Sequence, residues 1–161
     1  MTAPEILFVC WGNICRSPMA EVVAKEWARR DGLRGITFTS AGVSNEEAGH
    51  PMDPRAIATL RAAGYHPEPH AARQVSAAEV DAAAMVIGME RTHLRRIRQL
   101  VPDVRVLYLL TDFDPNSVPG TEIDDPWYGD DSDFLVALKQ IEGAMPGLMK
   151  RAHQLHAASP L

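Results

Sequence analysis

The stretch from Cys10 to Pro18, with the sequence CWGNICRSP, constrains the fold of this chain more than any other segment. It follows the apolar run Ile6 to Val9, which is typical of a buried parallel strand. It closes with Ser17 and Pro18, which predict a helix N-cap and a proline at the first helical position. The sequence therefore predicts a strand, a short loop and a helix in succession, with a thiol and an arginine at the loop.

This loop has the properties of an anion-binding site. Helix N-termini leave backbone N–H groups unpaired and carry positive partial charge. Gly12 and Asn13 tolerate left-handed conformations that turn further amides inward, and the Arg16 guanidinium can donate to two phosphate oxygens at once. We therefore expect phosphate to bind here. The expected contacts are Trp11, Gly12, Asn13, Ile14, Cys15, Arg16 and Ser17.

Cys10 stands at the base of the same loop. Positive potential there favours the thiolate form of a cysteine, and a thiolate beneath a bound phosphate can attack it and form a phosphocysteine. Taken singly, Cys10 could be a small buried hydrophobic residue and Arg16 a surface ion-pair partner. The agreement of spacing, strand and helix start favours catalysis.

The loop resembles the signature of the low-molecular-weight protein tyrosine phosphatases, which is a cysteine, five residues, an arginine and a serine near the N-terminus. Asp125 to Gly129 resembles the Asp-Pro-aromatic loop of that family, and Ser40 to Gly42 and His70 to Gln74 resemble two further segments. The similarity extends from Ile6 to about Met149. It implies hydrolysis of phosphotyrosine in proteins, with no metal or organic cofactor.

The resemblance also assigns the catalytic groups. It implies that Cys10 is the nucleophile, Arg16 the phosphate clamp and Asp125 the general acid and base. The residues around Asp125 are strongly acidic, and a solvated loop with an aspartate N-cap accounts for Asp130, Asp131 and Asp133. Asp125 differs from them because the following proline favours an extended backbone at this position.

Apolar periodicity predicts alternating strands and helices, and therefore an α/β fold. The predicted strands are Ile6 to Val9, Ile36 to Ser40, Met85 to Met89 and Arg105 to Leu109; the predicted helices are Met19 to Arg30, Pro54 to Ala63, Glu90 to Gln99 and Asp133 to Leu155. The resemblance implies a four-stranded parallel sheet flanked by helices, a flavodoxin-like three-layer sandwich. No Pro/Gly/Ser-rich linker divides the 161 residues, which predicts a single domain over residues 1–161.

Four residues are expected to support the loop. By resemblance, Ser17 donates a hydrogen bond to the nucleophile, while Ser40 and His70 hold Asn13 in a strained conformation. The local sequence alone favours a different environment for His70, because the preceding Pro-Glu-Pro is typical of a surface turn.

Cys15 has two interpretations. By resemblance it is the redox partner of Cys10, forming a reversible disulfide after peroxide oxidation. The alternative is a buried residue that fills space.

The expected substrate rim departs from the family pattern at two positions. Trp11 stands where relatives usually carry a smaller side chain, and Glu46 lies near a position where many relatives carry an aromatic. We expect Trp11 and Trp127 to stack on phosphotyrosine, Tyr128 to lie on the rim, and Glu46 to disfavour acidic flanking sequences. The alternative is that Trp11 packs sideways and Glu46 faces water.

Other activities fit the sequence less well. Arsenate reductases with this loop use additional cysteines, and the chain contains only two. Protein arginine phosphatases commonly carry a threonine at the position of Ile14. A phosphate-binding module without activity would not need both Cys10 and Asp125. The six histidines have neither zinc-finger nor His-Glu-x-x-His spacing, so no metal site is predicted.

Composition limits the partners and the compartment. The net charge of −5 argues against nucleic-acid binding. No signal peptide and no apolar stretch of about 18 residues is present, so we expect a cytoplasmic protein without membrane contact. The expected partner is a phosphotyrosine-containing protein. We also expect a monomer with weak self-association at most, inhibited by phosphate-like oxyanions.

Overall fold

A computed structural model describes residues 3–158. Its four strands are β1 (Glu5–Cys10), β2 (Thr37–Gly42), β3 (Met85–Gly88) and β4 (Leu107–Leu109). They form one sheet in the order β2-β1-β3-β4, and every neighbouring pair is parallel. The predicted four-stranded parallel sheet is confirmed.

Five α-helices flank the sheet: α1 (Arg16–Arg30), α2 (Pro54–Ala62), α3 (Ala77–Ala82), α4 (Arg91–Leu100) and α5 (Asp131–Ala158). Short 3₁₀ turns cover Leu110–Phe113 and Pro126–Tyr128. None of the helices described between residues 3 and 158 has the length and apolarity to cross a membrane.

The side chains of β1, an inner strand of the sheet, show how helices cover both faces. Successive side chains of a strand point to opposite faces of the sheet. Ile6 and Phe8 pack in the core under α1, α2 and α5, while Leu7 and Val9 pack in a second cluster under α3 and α4. All four are fully buried. Both faces of the sheet are therefore covered, as the three-layer sandwich requires.

The start of α1 differs from the sequence prediction. The helix begins at Arg16, the residue at its N-cap position is Cys15, and no side chain caps it. The predicted Ser17 N-cap is wrong, and so is the placement of Pro18 at the first helical position. Ser17 is the second residue of α1. Its hydroxyl does not cap the helix, because it is bound 3.0 Å from Cys10 Sγ.

Other boundaries shift by a few residues, and one helix was not predicted. β2 begins and ends later than expected, at Thr37 and Gly42, and β4 begins only at Leu107. The unpredicted α3 starts with a capping box between Ser76 and Glu79.

Two further observations concern α1 and α5. Trp27 is half-buried, and its Nε1 donates to Tyr65 Oη at 3.1 Å. Asp130 accepts hydrogen bonds from the backbone and hydroxyl of Ser132 immediately before α5. Asp130 is thus an exposed residue that accepts hydrogen bonds at the start of α5, as expected, whereas Asp131 and Asp133 belong to the first turn of α5, which begins two residues earlier than predicted.

Candidate active site

The site lies at the carboxyl end of β1. Cys10 is the last residue of β1 and Arg16 the first residue of α1, so the intervening loop brings a thiol and a guanidinium to one point. Both are almost completely buried, with 3% and 2% of their surface exposed. Cys10 Sγ lies 3.0 Å from Ser17 Oγ, a distance at which the hydroxyl can donate to a thiolate.

Asn13 gives the loop its shape. Its φ of +61° is the single left-handed value outside glycine in the described chain. Its side-chain Nδ2 donates to Ser17 Oγ at 2.9 Å and Ser40 Oγ at 3.0 Å, and its Oδ1 accepts from the Arg73 backbone N–H. His70 Nε2 lies 2.7 Å from the Asn13 carbonyl oxygen. These bonds hold a conformation that costs on the order of 1–3 kcal/mol in a non-glycine residue.

The structure thus brings Ser17, Ser40 and His70 to Asn13. His70 is half-buried in this contact, so the surface environment favoured by its local sequence is wrong. Gly12 does not adopt the left-handed conformation that the sequence suggested for it. Asn13 alone makes that turn in the loop.

Gly42 contributes through its lack of a side chain, which the sequence analysis did not predict. It pairs with Cys10 at the end of the sheet. A Cβ atom at Gly42 would lie 2.8 Å from the Trp11 carbonyl oxygen and 3.2 Å from the Asn13 backbone nitrogen. The close approach of the loop to β2 therefore requires glycine here.

Several donors of the loop have no protein acceptor. Within the described chain, the backbone N–H groups of residues 12–15 make no hydrogen bond to another protein group. Buried N–H groups without partners carry a desolvation penalty. At the positive end of α1, an anionic ligand would satisfy them.

Arg16 is held at one edge of its guanidinium. Nη1 donates to the Glu90 carboxylate and to the Ile123 carbonyl oxygen, the latter at 2.7 Å. Nε is buried without a hydrogen-bond partner in the described chain, and Nη2 lies 3.5 Å from Asp125 Oδ2. Burial opposes the charge, yet the negative groups of Cys10, Asp125 and Glu90 raise the pKa of Arg16. The Nε–Nη2 edge is therefore the edge with free donor capacity.

Glu90 and His93 are functional-site residues that the sequence analysis missed. Glu90 follows β3, the strand beside β1, and caps α4. His93 Nδ1 accepts from the backbone N–H groups of Met89 and Glu90, at 3.2 and 3.0 Å, which places the proton of a neutral ring on Nε2. The available signal was a carboxylate directly after a buried strand.

His93 is buried behind Arg16 and is uncharged near neutral pH. Burial, followed by the positive charge of Arg16, lowers the pKa of His93 to about 3. Its Nε2 lies 3.7 Å from Glu90 Oε2 and has no hydrogen-bond partner among residues 3–158. The Glu90 carboxylate is thus left to neutralise Arg16.

Asp125 lies across the pocket from Cys10, just before the 3₁₀ turn at Pro126–Tyr128. Its Oδ1 accepts from the Trp127 backbone N–H at 3.1 Å, which fixes the carboxylate at the start of the turn. Its side chain is 31% exposed and lines the pocket together with Cys10 and Arg16. A proton on this carboxyl group can therefore reach both the pocket and solvent.

Apolar side chains form most of the rim. Ile14, Trp11, Trp127 and Tyr128 line the pocket, together with the carboxylate side chains of Glu46 and Glu47. The Trp127 and Tyr128 rings meet edge to face with centroids 4.9 Å apart, and 84% of the Tyr128 surface is exposed. An opening of this kind accepts a flat aromatic group.

Trp11 is more constrained than either sequence interpretation assumed. Its Nε1 donates to Glu46 Oε2 at 3.1 Å, and the Arg96 guanidinium lies 5.0 Å from its ring centroid. Glu46 is exposed to water, as one interpretation expected, but its carboxylate also accepts a hydrogen bond from the indole. Trp11 lines the pocket and also packs sideways against the core beneath α4.

Cys15 is 4% exposed and forms no disulfide. Burial, followed by the charge of Asp53, raises the pKa of the Cys15 thiol well above its usual range. It therefore remains a protonated thiol next to the loop. Among residues 3–158, no group of three or more His, Cys, Asp or Glu side chains is arranged to hold a metal ion.

Comparisons with known proteins agree with this geometry. The family model of the low molecular weight phosphotyrosine protein phosphatases matches residues 5–158. A low molecular weight protein-tyrosine phosphatase A from Mycobacterium tuberculosis is 43% identical over 146 residues, which cover 89% of this chain and 88% of the relative. A low molecular weight protein-tyrosine-phosphatase from Streptomyces coelicolor is 38% identical over 151 residues, with 90% and 91% covered.

Solved structures show the same likeness. A protein tyrosine phosphatase from Entamoeba histolytica, crystallised with Hepes in its active site, superposes with a TM-score of 0.89 at 25% sequence identity. The superposition covers 94% of this chain and 98% of that one.

Proposed function

Because the chain belongs to the low-molecular-weight protein-tyrosine phosphatase family, and is thus a phosphoric monoester hydrolase, we propose that it dephosphorylates phosphotyrosine through a phosphocysteine on Cys10. The observation that carries the proposal is the Nε–Nη2 edge of Arg16, which lines the same pocket as Cys10 and whose buried Nε has no hydrogen-bond partner among residues 3–158. A buried guanidinium with one edge fixed and the other free suits bidentate binding of a phosphoryl group.

Phosphate binding combines this edge with the loop amides. Two oxygens accept from Arg16 Nε and Nη2, and the remaining acceptors are met by the backbone N–H groups of residues 12–15. These donors are already in place, so they stabilise the extra charge of the transition state without reorganisation. Phosphate and vanadate use the same donors and are expected to inhibit competitively.

In the first step, the Cys10 thiolate attacks phosphorus. The sulfur–phosphorus bond forms while the bond from phosphorus to the tyrosyl oxygen breaks, and Asp125 gives its proton to that oxygen. Ser17 supports the thiolate through the 3.0 Å contact. The pocket position of Asp125, close to Arg16 and to solvent, supports this assignment.

In the second step, water replaces the cysteine. Asp125, now a carboxylate, takes a proton from water while the water oxygen forms a bond to phosphorus. The sulfur–phosphorus bond breaks, which regenerates the Cys10 thiolate. Inorganic phosphate leaves the loop. No other titratable side chain is required, and His93 stays neutral behind Arg16.

The rim supports phosphotyrosine over phosphoarginine as the substrate side chain. Ile14, Trp11 and Trp127 present apolar or aromatic surface to the pocket. An aromatic leaving group gains contact area and ring stacking on such walls. The carboxylates of Glu46 and Glu47 also line the pocket, and each is already engaged by a neighbouring side chain.

Cys15 is proposed to protect the nucleophile. Peroxide oxidises the Cys10 thiolate to a sulfenic acid, and Cys15 sulfur then displaces water to form a disulfide, which dithiothreitol reduces. The raised pKa of Cys15 keeps it from being oxidised directly, since thiolates react with peroxide. It also makes disulfide closure slow at neutral pH.

The test is hydrolysis of p-nitrophenyl phosphate and of matched phosphotyrosine and phosphoarginine peptides, with EDTA and a thiol reductant present. We expect wild type to hydrolyse the first two and Cys10→Ser to hydrolyse neither. A preference of wild type for the phosphoarginine peptide would overturn the substrate assignment, and turnover by folded Cys10→Ser would overturn the mechanism.

A further inference from the structure

A second depression lies at the hydrophobic cluster against which Trp11 packs. It is a groove of about 300 Å³ whose lining includes Val43, Val75, Ile97 and Leu100. Trp11 lines the pocket and packs against the cluster that contains three of these residues. Leu100, on α4, is 41% exposed at this groove. The groove and the substrate rim are linked by Arg96, which lines the groove and lies over the Trp11 ring.

The Trp11 indole is held by two charged side chains. Its Nε1 edge donates to Glu46 Oε2 at 3.1 Å, and the Arg96 guanidinium lies over its face at 5.0 Å from the centroid. Contacts at the edge and at the face restrict rotation of the ring. Trp11 therefore has a defined position in the wall of the pocket, next to Arg96 of the groove.

The groove side of this wall is positively charged. Arg96 lines the groove and is exposed. On the same helix, Arg91 pairs with Glu122, whereas no carboxylate among residues 3–158 lies within ion-pair distance of Arg95, Arg96 or Arg98. Unpaired arginines on one helix of a chain with net charge −5 produce a local positive potential.

We propose that this groove binds the residues that flank phosphotyrosine in the substrate protein, with an acidic side chain pairing to Arg96. An apolar neighbour would pack on Val43, Val75 and Leu100. The occupant follows from charge complementarity and from the position of Arg96, which lines the groove and contacts Trp11 of the pocket. The inference rests on the proposed function. It reverses the expectation that Glu46 disfavours acidic flanking sequences, because the positive charge of Arg96 favours them.

The experiment measures kcat/KM for phosphotyrosine peptides that carry either Glu or Lys at each of three positions on both sides of the phosphotyrosine. We expect wild type to prefer Glu by about three- to fivefold at one or more positions, since an exposed ion pair gives a modest gain. The preference should fall in 0.5 M NaCl. Because each value is a ratio between two peptides, effects common to all substrates cancel.

Two substitutions locate the effect. Arg96→Glu should reverse the preference to Lys, and Arg96→Gln should bring the ratio close to one. Arg98→Glu is the matched control, with the same charge change on the same helix and no contact with Trp11. Equal changes in Arg96→Glu and Arg98→Glu would show a general charge effect and overturn the proposal.

The outcomes separate this inference from the proposed function. Absence of phosphotyrosine hydrolysis by wild type refutes the function itself. If wild type hydrolyses every peptide and kcat/KM does not differ between the Glu and Lys peptides, the proposed function is retained and the proposal that the groove binds acidic flanking residues is refuted.

Discussion

Replacing Glu90 with glutamine tests how Arg16 is held. Arg16 is 2% exposed and Glu90 27% exposed, and the carboxylate accepts from Nη1 on the edge opposite the proposed phosphate. Glutamine keeps the size of the side chain and one acceptor oxygen but removes the charge. The buried guanidinium is then left with the Ile123 carbonyl at 2.7 Å and Asp125 at 3.5 Å.

The expected magnitude lies between two limits. Removing one partner of a fully buried ion pair costs about 3–5 kcal/mol, and an exposed pair contributes about 0.2–1 kcal/mol. Glu90 is partly exposed and glutamine retains a hydrogen bond, so we expect a loss of about 1–2 kcal/mol in the free energy of unfolding. A similar loss of transition-state binding would lower kcat/KM by about 5- to 30-fold.

Urea unfolding at pH 7 and p-nitrophenyl phosphate kinetics measure the two effects. Glu122→Gln is the control, because its partner Arg91 is 58% exposed and the pair lies on the surface at 3.6 Å. We expect this variant to lose less than about 1 kcal/mol and to keep its activity. If Glu90→Gln lost no more stability or activity than Glu122→Gln, the reasoning about Arg16 would be refuted.

Three further predictions follow from the buried groups. The pKa of His93 is about 3 in the folded chain and near 6.5 when unfolded, so between these values the unfolded chain binds one more proton and stability falls as pH falls. From pH 7 to pH 5 the free energy of unfolding should fall by about 2 kcal/mol for this reason. His93→Asn should remove this part of the pH dependence, as measured by urea unfolding at several pH values. Gly42→Ala places a Cβ 2.8 Å from the Trp11 carbonyl, and we expect about 1–3 kcal/mol of destabilisation with loss of phosphatase activity; unchanged vanadate affinity would contradict this. After peroxide and then dithiothreitol, wild type should recover more activity than Cys15→Ala; equal recovery would exclude the protective disulfide.

Features encoded by neighbouring residues were predictable. The apolar run before Cys10 and the loop that follows define a strand and a helix start, and both exist at β1 and α1. The capping box at Ser76 and Glu79 is also a local signal, and it would have predicted α3. The ends of β2 and β4 depend on where neighbouring strands stop pairing, which the chain does not encode locally.

Local rules failed where distant parts of the chain meet. Ser17 has the sequence of an N-cap, but its hydroxyl contacts Cys10 and Asn13 instead of the helix N-terminus. His70 follows a surface-like turn and still reaches Asn13, 57 positions away. In both cases the bonds that stabilise a strained loop outweigh local preference.

Glu90 shows most clearly what cannot be predicted from local sequence. The sequence placed it at a helix start, and it is the N-cap residue of α4. Its contact with Arg16, 74 positions away, depends on β3 pairing beside β1. Strand order is a property of the whole sheet, so this part of the site appears only in the folded chain.

Trapping the covalent intermediate tests the central claim most directly. Wild type and Cys10→Ser would be mixed with a ³²P-labelled phosphotyrosine peptide at mildly acidic pH, quenched within milliseconds, and digested to locate the label. We predict label on the peptide containing Cys10, approaching one phosphate per wild-type molecule, and none on the variant. Turnover by wild type with no label on Cys10 would contradict the phosphocysteine mechanism.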